Sequence, residues 1–243
     1  MLRNYRDEKR TAVVSSYSVM AMERTLRQIA KYLGYEISEI DESHHGSRFP
    51  VEATFTERKF IEIARQFSSV GRLRLWNIVQ AFRHVESQLI PGDFVECGVK
   101  KGGSLILLQN LINHRMSARS LYGFDIFDDP ELKPNELEVV KKNIEKNVLK
   151  PNFRLIGGPV ETTLTNEENL PESIAILKID TDWYERTKVE LETLYPRLSE
   201  GGVLIIDAYG RFKGCKKAVD DYFGNDLPWL HYVDQNCRLL IKE

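Results

Sequence analysis

From residue 93 onward, short apolar runs alternate with segments that carry apolar residues at helical spacing. Strands that alternate with helices are typical of βαβ units, in which a parallel sheet has helices on both faces. Two later strands, 231–233 and 238–241, follow a helical pattern at about 214–223 and lie close enough in sequence to pair as an antiparallel hairpin. The predicted parallel strands are 94–97, 121–125, 153–156, 174–179 and 203–206.

Before residue 93 the pattern is helical. Apolar positions predict helices at 16–35, about 55–67 and about 71–88, and Pro91-Gly92 ends the last of them. We therefore divide the chain into a helical region, residues 1–90, and an α/β domain, residues 91–243. Within the α/β domain the predicted helices are 103–114, 134–148 and 184–198, the last one capped by Gly201-Gly202.

Composition narrows the class of protein. The 243 residues are 42% hydrophobic, enough for a core, and 34 basic against 36 acidic side chains give no electrostatic signature of nucleic-acid binding. The longest uncharged stretch, residues 102–114, is too short to span a membrane. The three cysteines form no CxxC pair, and the first ten residues lack the apolar segment of a signal peptide. These features predict a globular cytoplasmic protein with reduced thiols.

The turn after the first predicted strand reads Val95-Glu-Cys-Gly-Val-Lys-Lys-Gly-Gly-Ser104. Glycine there permits a sharp turn and close approach of a ligand, and the following amides open a helix. The spacing differs from the GxGxxG of pyrophosphate-binding dehydrogenases, and Glu96 would repel a pyrophosphate while accepting an ammonium group. The turn therefore argues against a nicotinamide-dependent dehydrogenase. Taken alone, it is also compatible with an ordinary strand-to-helix connection.

Acidic residues follow the other strands. Asp125 ends the second strand, where a carboxylate accepts hydrogen bonds from ribose hydroxyls in nucleoside-binding α/β folds. Asp180 and Asp207 end the fourth and fifth strands, which we expect to be neighbours, so both would project into one cleft. Such a pair suits Mg²⁺ or the hydroxyls of a sugar. Asp182 joins them or caps the helix that begins after it.

These motifs together resemble one known family. The chain is similar to the macrocin and mycinamicin O-methyltransferases from about residue 50 to its end. The motifs are Phe94-Val-Glu-Cys-Gly-Val-x-x-Gly-Gly-Ser104, Phe124-Asp125-x-Phe127, Asp180-x-Asp-x-Tyr-Glu-x-Thr187, Leu194-Tyr-Pro-x-Leu-Ser-x-Gly-Gly202, Ile205-Ile-Asp-x-Tyr-Gly210 and Gly214-Cys-Lys-Lys-Ala-Val-Asp220.

The resemblance implies a Rossmann-like class I methyltransferase sheet, mostly parallel with a C-terminal antiparallel hairpin, and an N-terminal helical extension. It implies S-adenosylmethionine as cofactor, a sugar hydroxyl as acceptor, and often Mg²⁺. Residues 91–243 would form the methyltransferase domain, residues 1–90 a lid or oligomerisation region, and the protein a homodimer. The implied roles are the methionine part of the cofactor for Glu96, Gly98, Gly102, Gly103 and Ser104, ribose for Asp125, metal for Asp180 and Asp207, and general base for Asp182.

One position departs from the family pattern. Ala208 stands where the family has the second of two aspartates, so a third carboxylate for the metal is missing. We therefore hold two hypotheses. The first is an S-adenosylmethionine-dependent O-methyltransferase acting on a sugar hydroxyl of a glycosylated natural product or surface glycan. The alternative is a non-catalytic protein that binds S-adenosylmethionine, or a scaffold, with a degenerate metal site.

Overall fold

Two helices precede the sheet in the computed structural model, which describes residues 49–127 and 136–243. Helix α1 covers Phe55–Arg65 and helix α2 covers Arg72–Ser87. Thr54 starts α1 with a capping box: its Oγ1 accepts from the amide of Glu57 at 3.3 Å, and Glu57 Oε2 accepts from the amide of Thr54 at 2.8 Å. The predicted helix at 16–35 lies outside the described residues.

Seven strands form one sheet in the order β3-β2-β1-β4-β5-β7-β6. Strands β1 to β5 pair in parallel, whereas β7 runs antiparallel to β5 and pairs with β6. The chain reverses its winding direction between β1 and β4, where α/β sheets bind ligands. The strands are β1 Asp93–Cys97, β2 Leu121–Asp125, β3 Phe153–Gly157, β4 Ile174–Ile179, β5 Leu198–Ile206, β6 His231–Tyr232 and β7 Arg238–Ile241.

Helices cover both faces of the sheet. Helix α3 (Gly103–Arg115) is buried on nearly all sides because it lies between the sheet and the pair α1 and α2. On the opposite face, the apolar cluster includes residues of the helices that follow β4 and β5. The remaining helices are α4 Glu136–Asn147, α5 Val160–Thr163, α6 Tyr184–Leu194 and α7 Lys213–Phe223.

The predicted fold class is confirmed, including the parallel strands and the C-terminal antiparallel hairpin. Two boundaries are wrong. Helix α6 ends at Leu194 rather than at residue 198, and a 3₁₀ turn, Tyr195–Arg197, follows; strand β5 begins at Leu198 rather than at residue 203. Pro196 has no N–H to donate to the preceding turn, so α-helical hydrogen bonding stops there although Tyr195 keeps helical dihedral angles.

Gly201-Gly202 does not cap that helix either. The Gly201 amide donates to the carbonyl of Lys242 at 2.7 Å, and the Lys242 amide donates to the carbonyl of Gly202 at 2.9 Å. Strand β5 therefore already begins at Leu198 and pairs at these glycines with the end of the chain.

Residues Phe49–Glu243 form one compact unit, so α1 and α2 belong with the sheet. A lid or oligomerisation role for residues 1–90 stays a prediction. Among the described residues, no helix combines the length and the apolar character that crossing a membrane requires.

Candidate active site

The glycine-rich turn lies between β1 and α3 at the switch point of the sheet. Gly98 has φ +90°, and a Cβ added there would stand 2.5 Å from the carbonyl oxygen of Asp180. At Gly103 an added Cβ would stand 2.6 Å from Cβ of Ser68, and its amide donates to the carbonyl of Phe67 at 3.1 Å. Only glycine fits these two positions, so the loop before α2 packs directly on the backbone of the turn.

A narrow cleft adjoins this turn. Its lining includes the predicted cofactor residues Glu96, Gly98, Gly103 and Ser104. Ser68 and its neighbours in the loop between α1 and α2 close the other side. Gly102 starts α3 with φ +88° and lies behind the cleft rather than on its wall.

Asp125 is fixed at the end of β2, next to the turn. Its Oδ2 accepts from the amide of Lys100 at 2.8 Å, and its Oδ1 accepts from the amide of Ile126 at 2.7 Å. The half-buried carboxylate is thus held in one orientation with lone pairs still open for a ligand hydroxyl. Asp128 and Asp129, the next acidic residues of the sequence, lie outside the described residues.

A buried lysine joins the strand-end carboxylates. Lys178 on β4 is 4% exposed, and its Nζ lies 3.0 Å from Glu96 Oε1, 3.0 Å from Asp207 Oδ2 and 3.6 Å from Asp180 Oδ2. Burial alone would lower the pKa of Lys178, but the carboxylates, Asp207 first, hold it well above its ordinary value. Lys178 is therefore charged. We call these four residues the lysine cluster.

One carboxylate oxygen of Glu96 is not paired within the lysine cluster. Its side chain is 3% exposed, and its Oε2 makes no hydrogen bond with the described residues. Burial raises the pKa of Glu96, and the attraction of Lys178 acts in the opposite direction. A buried acceptor without a donor is costly, so this atom is suited to a donor supplied by a ligand.

Arg74 reaches the lysine cluster from α2. Its Nη1 lies 3.2 Å from Asp207 Oδ1, and its Nε lies 2.6 Å from Asp234 Oδ2. Burial would raise the pKa of Asp207, but Lys178 first and then Arg74 lower it below its ordinary value. Asp207 is consequently an ionised carboxylate with a cation on each side.

A polar cavity of about 450 Å³ opens beside the lysine cluster, and we call it the acceptor cavity. Asp182 lines it, and burial raises the pKa of this carboxyl above its ordinary value. Lys100, whose Nζ lies 2.7 Å from Asp180 Oδ2, borders both this cavity and the narrow cleft. The other charged residues of the lining are Arg74, Asp180, Asp207, Arg211 and Asp234.

The match to a known family covers most of this unit. Residues 57–227, more than half of the chain, match the family described as Macrocin-O-methyltransferase (TylF). The chain belongs to this family. The family predicted from the motifs is thereby confirmed.

Two named relatives of this macrocin-O-methyltransferase family member are O-methyltransferases, and the name of the first includes a rhamnosyl group. The 8-demethyl-8-(2,3-dimethoxy-alpha-L-rhamnosyl)-tetracenomycin-C 4'-O-methyltransferase of Streptomyces olivaceus is 34% identical over 177 residues, 64% of this chain and 67% of the relative. The demethyldecarbamoylnovobiocin O-methyltransferase of Streptomyces niveus is 30% identical over 181 residues, 65% of this chain and 68% of the relative.

Solved structures of O-methyltransferases have the same fold as this chain. The structure of the O-methyltransferase NovP superposes with a TM-score of 0.66 and 27% identity, covering 79% of this chain and 90% of that one. A TDP-rhamnose 3'-O-methyltransferase, CalS11, is 20% identical with a TM-score of 0.59, covers 80% of this chain and 96% of its own, and shows the same fold.

The residues of this family member do not fit Mg²⁺. A divalent ion on Asp207 Oδ2 at the usual distance of about 2.1 Å would lie within about 5 Å of Lys178 Nζ, which is 3.0 Å from that oxygen. At an effective dielectric constant of about 20, the repulsion at that distance is about 7 kcal/mol, and it opposes the attraction of the ion to the carboxylates. Ala208 adds no carboxylate, and within the described residues no group of three His, Cys, Asp or Glu could hold a metal ion. The predicted magnesium site at Asp180 and Asp207 is therefore not supported.

Sequence reasoning missed the cations of the site. Lys178 interrupts the apolar run Ile174–Ile179, and a lysine inside a predicted buried strand is a signal that could have been used. No such signal marks Arg74 in the sequence, because it lies in the first turn of α2 and its partner Asp207 follows 133 positions later.

Proposed function

We propose that this protein is an S-adenosylmethionine-dependent O-methyltransferase that methylates a sugar hydroxyl of a glycosylated natural product or surface glycan. The observation that carries the proposal is the juxtaposition of two spaces at the switch point: the narrow cleft beside the glycine turn and the acceptor cavity. Lys100 and Asp180 line both. The narrow cleft has a volume of only about 10 Å³, so it would take the ammonium end of the cofactor, and the rest of the cofactor at the glycine turn would face a hydroxyl in the acceptor cavity across this shared wall.

The residues of the cleft fit the cofactor. Glu96 Oε2 offers a buried acceptor for the ammonium of the methionine part. Asp125, fixed by two backbone amides, is oriented for the ribose hydroxyls. When bound, S-adenosylmethionine supplies the activated methyl group.

The residues of the acceptor cavity fit a sugar. Its wall carries carboxylates and guanidinium groups, so a polyol finds both acceptors and donors for its hydroxyls. Asp182 lines the acceptor cavity and would take the proton of the attacking hydroxyl, and its raised pKa would make it a stronger base than an aspartate with the ordinary pKa. Holding that hydroxyl in line with the methyl group would be the main source of rate enhancement.

The relatives support the enzyme over the non-catalytic alternative, because each relative named above is an O-methyltransferase. The decisive assay mixes the purified protein, S-adenosylmethionine labelled in its methyl group and a panel of rhamnosides and other deoxysugar glycosides. We expect label in a sugar methyl ether and one equivalent of S-adenosylhomocysteine. Saturable cofactor binding without turnover on any glycoside would favour the alternative.

Asp182→Asn tests the assigned base. We expect turnover to fall by about 100-fold or more, the usual contribution of a general base, while cofactor affinity stays within about twofold. Equal loss of cofactor affinity and turnover would assign Asp182 to cofactor binding. A cytoplasmic location and a homodimer remain further predictions from the sequence.

A further inference from the structure

The two carboxylates at the strand ends are already neutralised by cations of this chain. Asp207 lies between Lys178 Nζ at 3.0 Å and Arg74 Nη1 at 3.2 Å. Asp180 lies 2.7 Å from Lys100 Nζ and 3.6 Å from Lys178 Nζ. The positive charge expected from a bound metal ion is thus present in side chains.

Of these cations, Arg74 and Lys100 line the acceptor cavity, and Arg74 is the one held by carboxylates of two different strand ends and loops, Asp207 and Asp234. Asp234 Oδ2 accepts from its Nε at 2.6 Å and Asp207 Oδ1 from its Nη1 at 3.2 Å, so two carboxylates hold the guanidinium plane. Asp234 is itself fixed by the amides of Asn236 and Cys237. Among the described residues, no hydrogen bond engages Nη2 of Arg74, a residue that lines the cavity.

Ala208 completes the arrangement. It is buried and lies on the cavity wall directly after Asp207. A carboxylate at this position would compete with Asp207 for Arg74, whereas a methyl group leaves the guanidinium free to face the cavity.

We propose that Arg74 replaces the divalent cation: it neutralises Asp207 and donates from Nη2 to the acceptor oxygen, so that methyl transfer needs no metal ion. This inference rests on the proposed function. In the step, the acceptor oxygen forms a bond to the methyl carbon while the sulfur–carbon bond breaks and sulfur keeps the electron pair. The hydroxyl proton goes to Asp182, and Arg74 stabilises the negative charge that develops on oxygen.

The first test measures metal binding without any turnover. Chelator-treated protein is titrated with Mn²⁺, and free Mn²⁺ is followed by electron paramagnetic resonance. We expect no saturable binding up to about 1 mM, the weak end of protein sites for hard divalent cations. Saturable Mn²⁺ binding by the unmodified protein would overturn the proposal.

The second test uses chemical rescue of Arg74→Ala. We expect turnover on a glycoside acceptor to fall about 100-fold, as for loss of one donor to a developing oxyanion, and to be partly restored by guanidinium ion. Restoration by Mg²⁺ instead, or turnover unchanged by the substitution, would overturn the proposal. If no acceptor is methylated by the unmodified protein, the proposed function fails, and the Mn²⁺ titration still tests the substitution of the metal by Arg74.

Discussion

A buried glutamate next to the site should make the stability of the protein fall as pH rises. Glu190 on α6 is fully buried; its Oε2 accepts from Thr181 Oγ1 at 2.6 Å, and its Oε1 makes no hydrogen bond with the described residues. Burial, the largest effect, raises the pKa of Glu190 to about 8, and the charge of Glu161 adds to this while Arg186 opposes it. The side chain is therefore neutral at pH 7.

The sign and size of this change in stability with pH follow from proton linkage. Between the ordinary pKa of 4.5 and the native pKa of about 8, the unfolded chain releases this proton while the folded chain keeps it. The folded state binds more protons, so the free energy of unfolding falls with rising pH, by at most about 1.4 kcal/mol per pH unit. Integrated from pH 5 to pH 8 for one such group, the loss is about 3–4 kcal/mol.

Glu190→Gln removes this titration and keeps the shape of the side chain. Urea unfolding at pH 5, 6, 7 and 8 should show that the variant gains stability relative to the unmodified protein as pH rises, by about 3–4 kcal/mol over the range. Glu192→Gln, an exposed position on the same helix, is the matched control and should follow the unmodified protein. Parallel pH profiles for Glu190→Gln and the unmodified protein would refute the reasoning.

Three further outcomes are expected. Gly98→Ala should abolish S-adenosylmethionine binding in calorimetry, since its Cβ would stand 2.5 Å from the carbonyl oxygen of Asp180 at a φ of +90°; unchanged affinity would show that the turn tolerates a side chain. Lys178→Met leaves Glu96 and Asp207 without their buried cation, so urea unfolding should show that the free energy of unfolding falls by about 3–5 kcal/mol. A negligible change would contradict a charged Lys178. All three cysteines are buried with raised pKa values, so Ellman's reagent should react only on unfolding, and fast labelling of the native protein would be inconsistent with the structure.

The strands could be predicted because their chemistry is local. The predicted runs 121–125 and 174–179 coincide with β2 and β4, since buried parallel strands are rich in apolar residues. The predicted end of α6 was wrong because apolar residues keep their helical spacing past Leu194, whereas Pro196 lacks the backbone N–H that would continue the helix.

The candidate site was predictable only in part. Asp180 and Asp207 could be placed together because the carboxyl ends of neighbouring parallel strands share one edge. Their partners could not, since Arg74 comes from a helix whose packing on the sheet depends on the whole fold. As a result the sequence indicated two metal ligands where the structure has carboxylates already paired with cations.

The most direct test of the account is calorimetric titration of S-adenosylmethionine into the chelator-treated protein. The account predicts one saturable site per chain, with an affinity that added Mg²⁺ does not change. Absence of saturable binding would contradict the methyltransferase assignment. Binding that appears only after Mg²⁺ is added would instead contradict the replacement of the metal by Arg74.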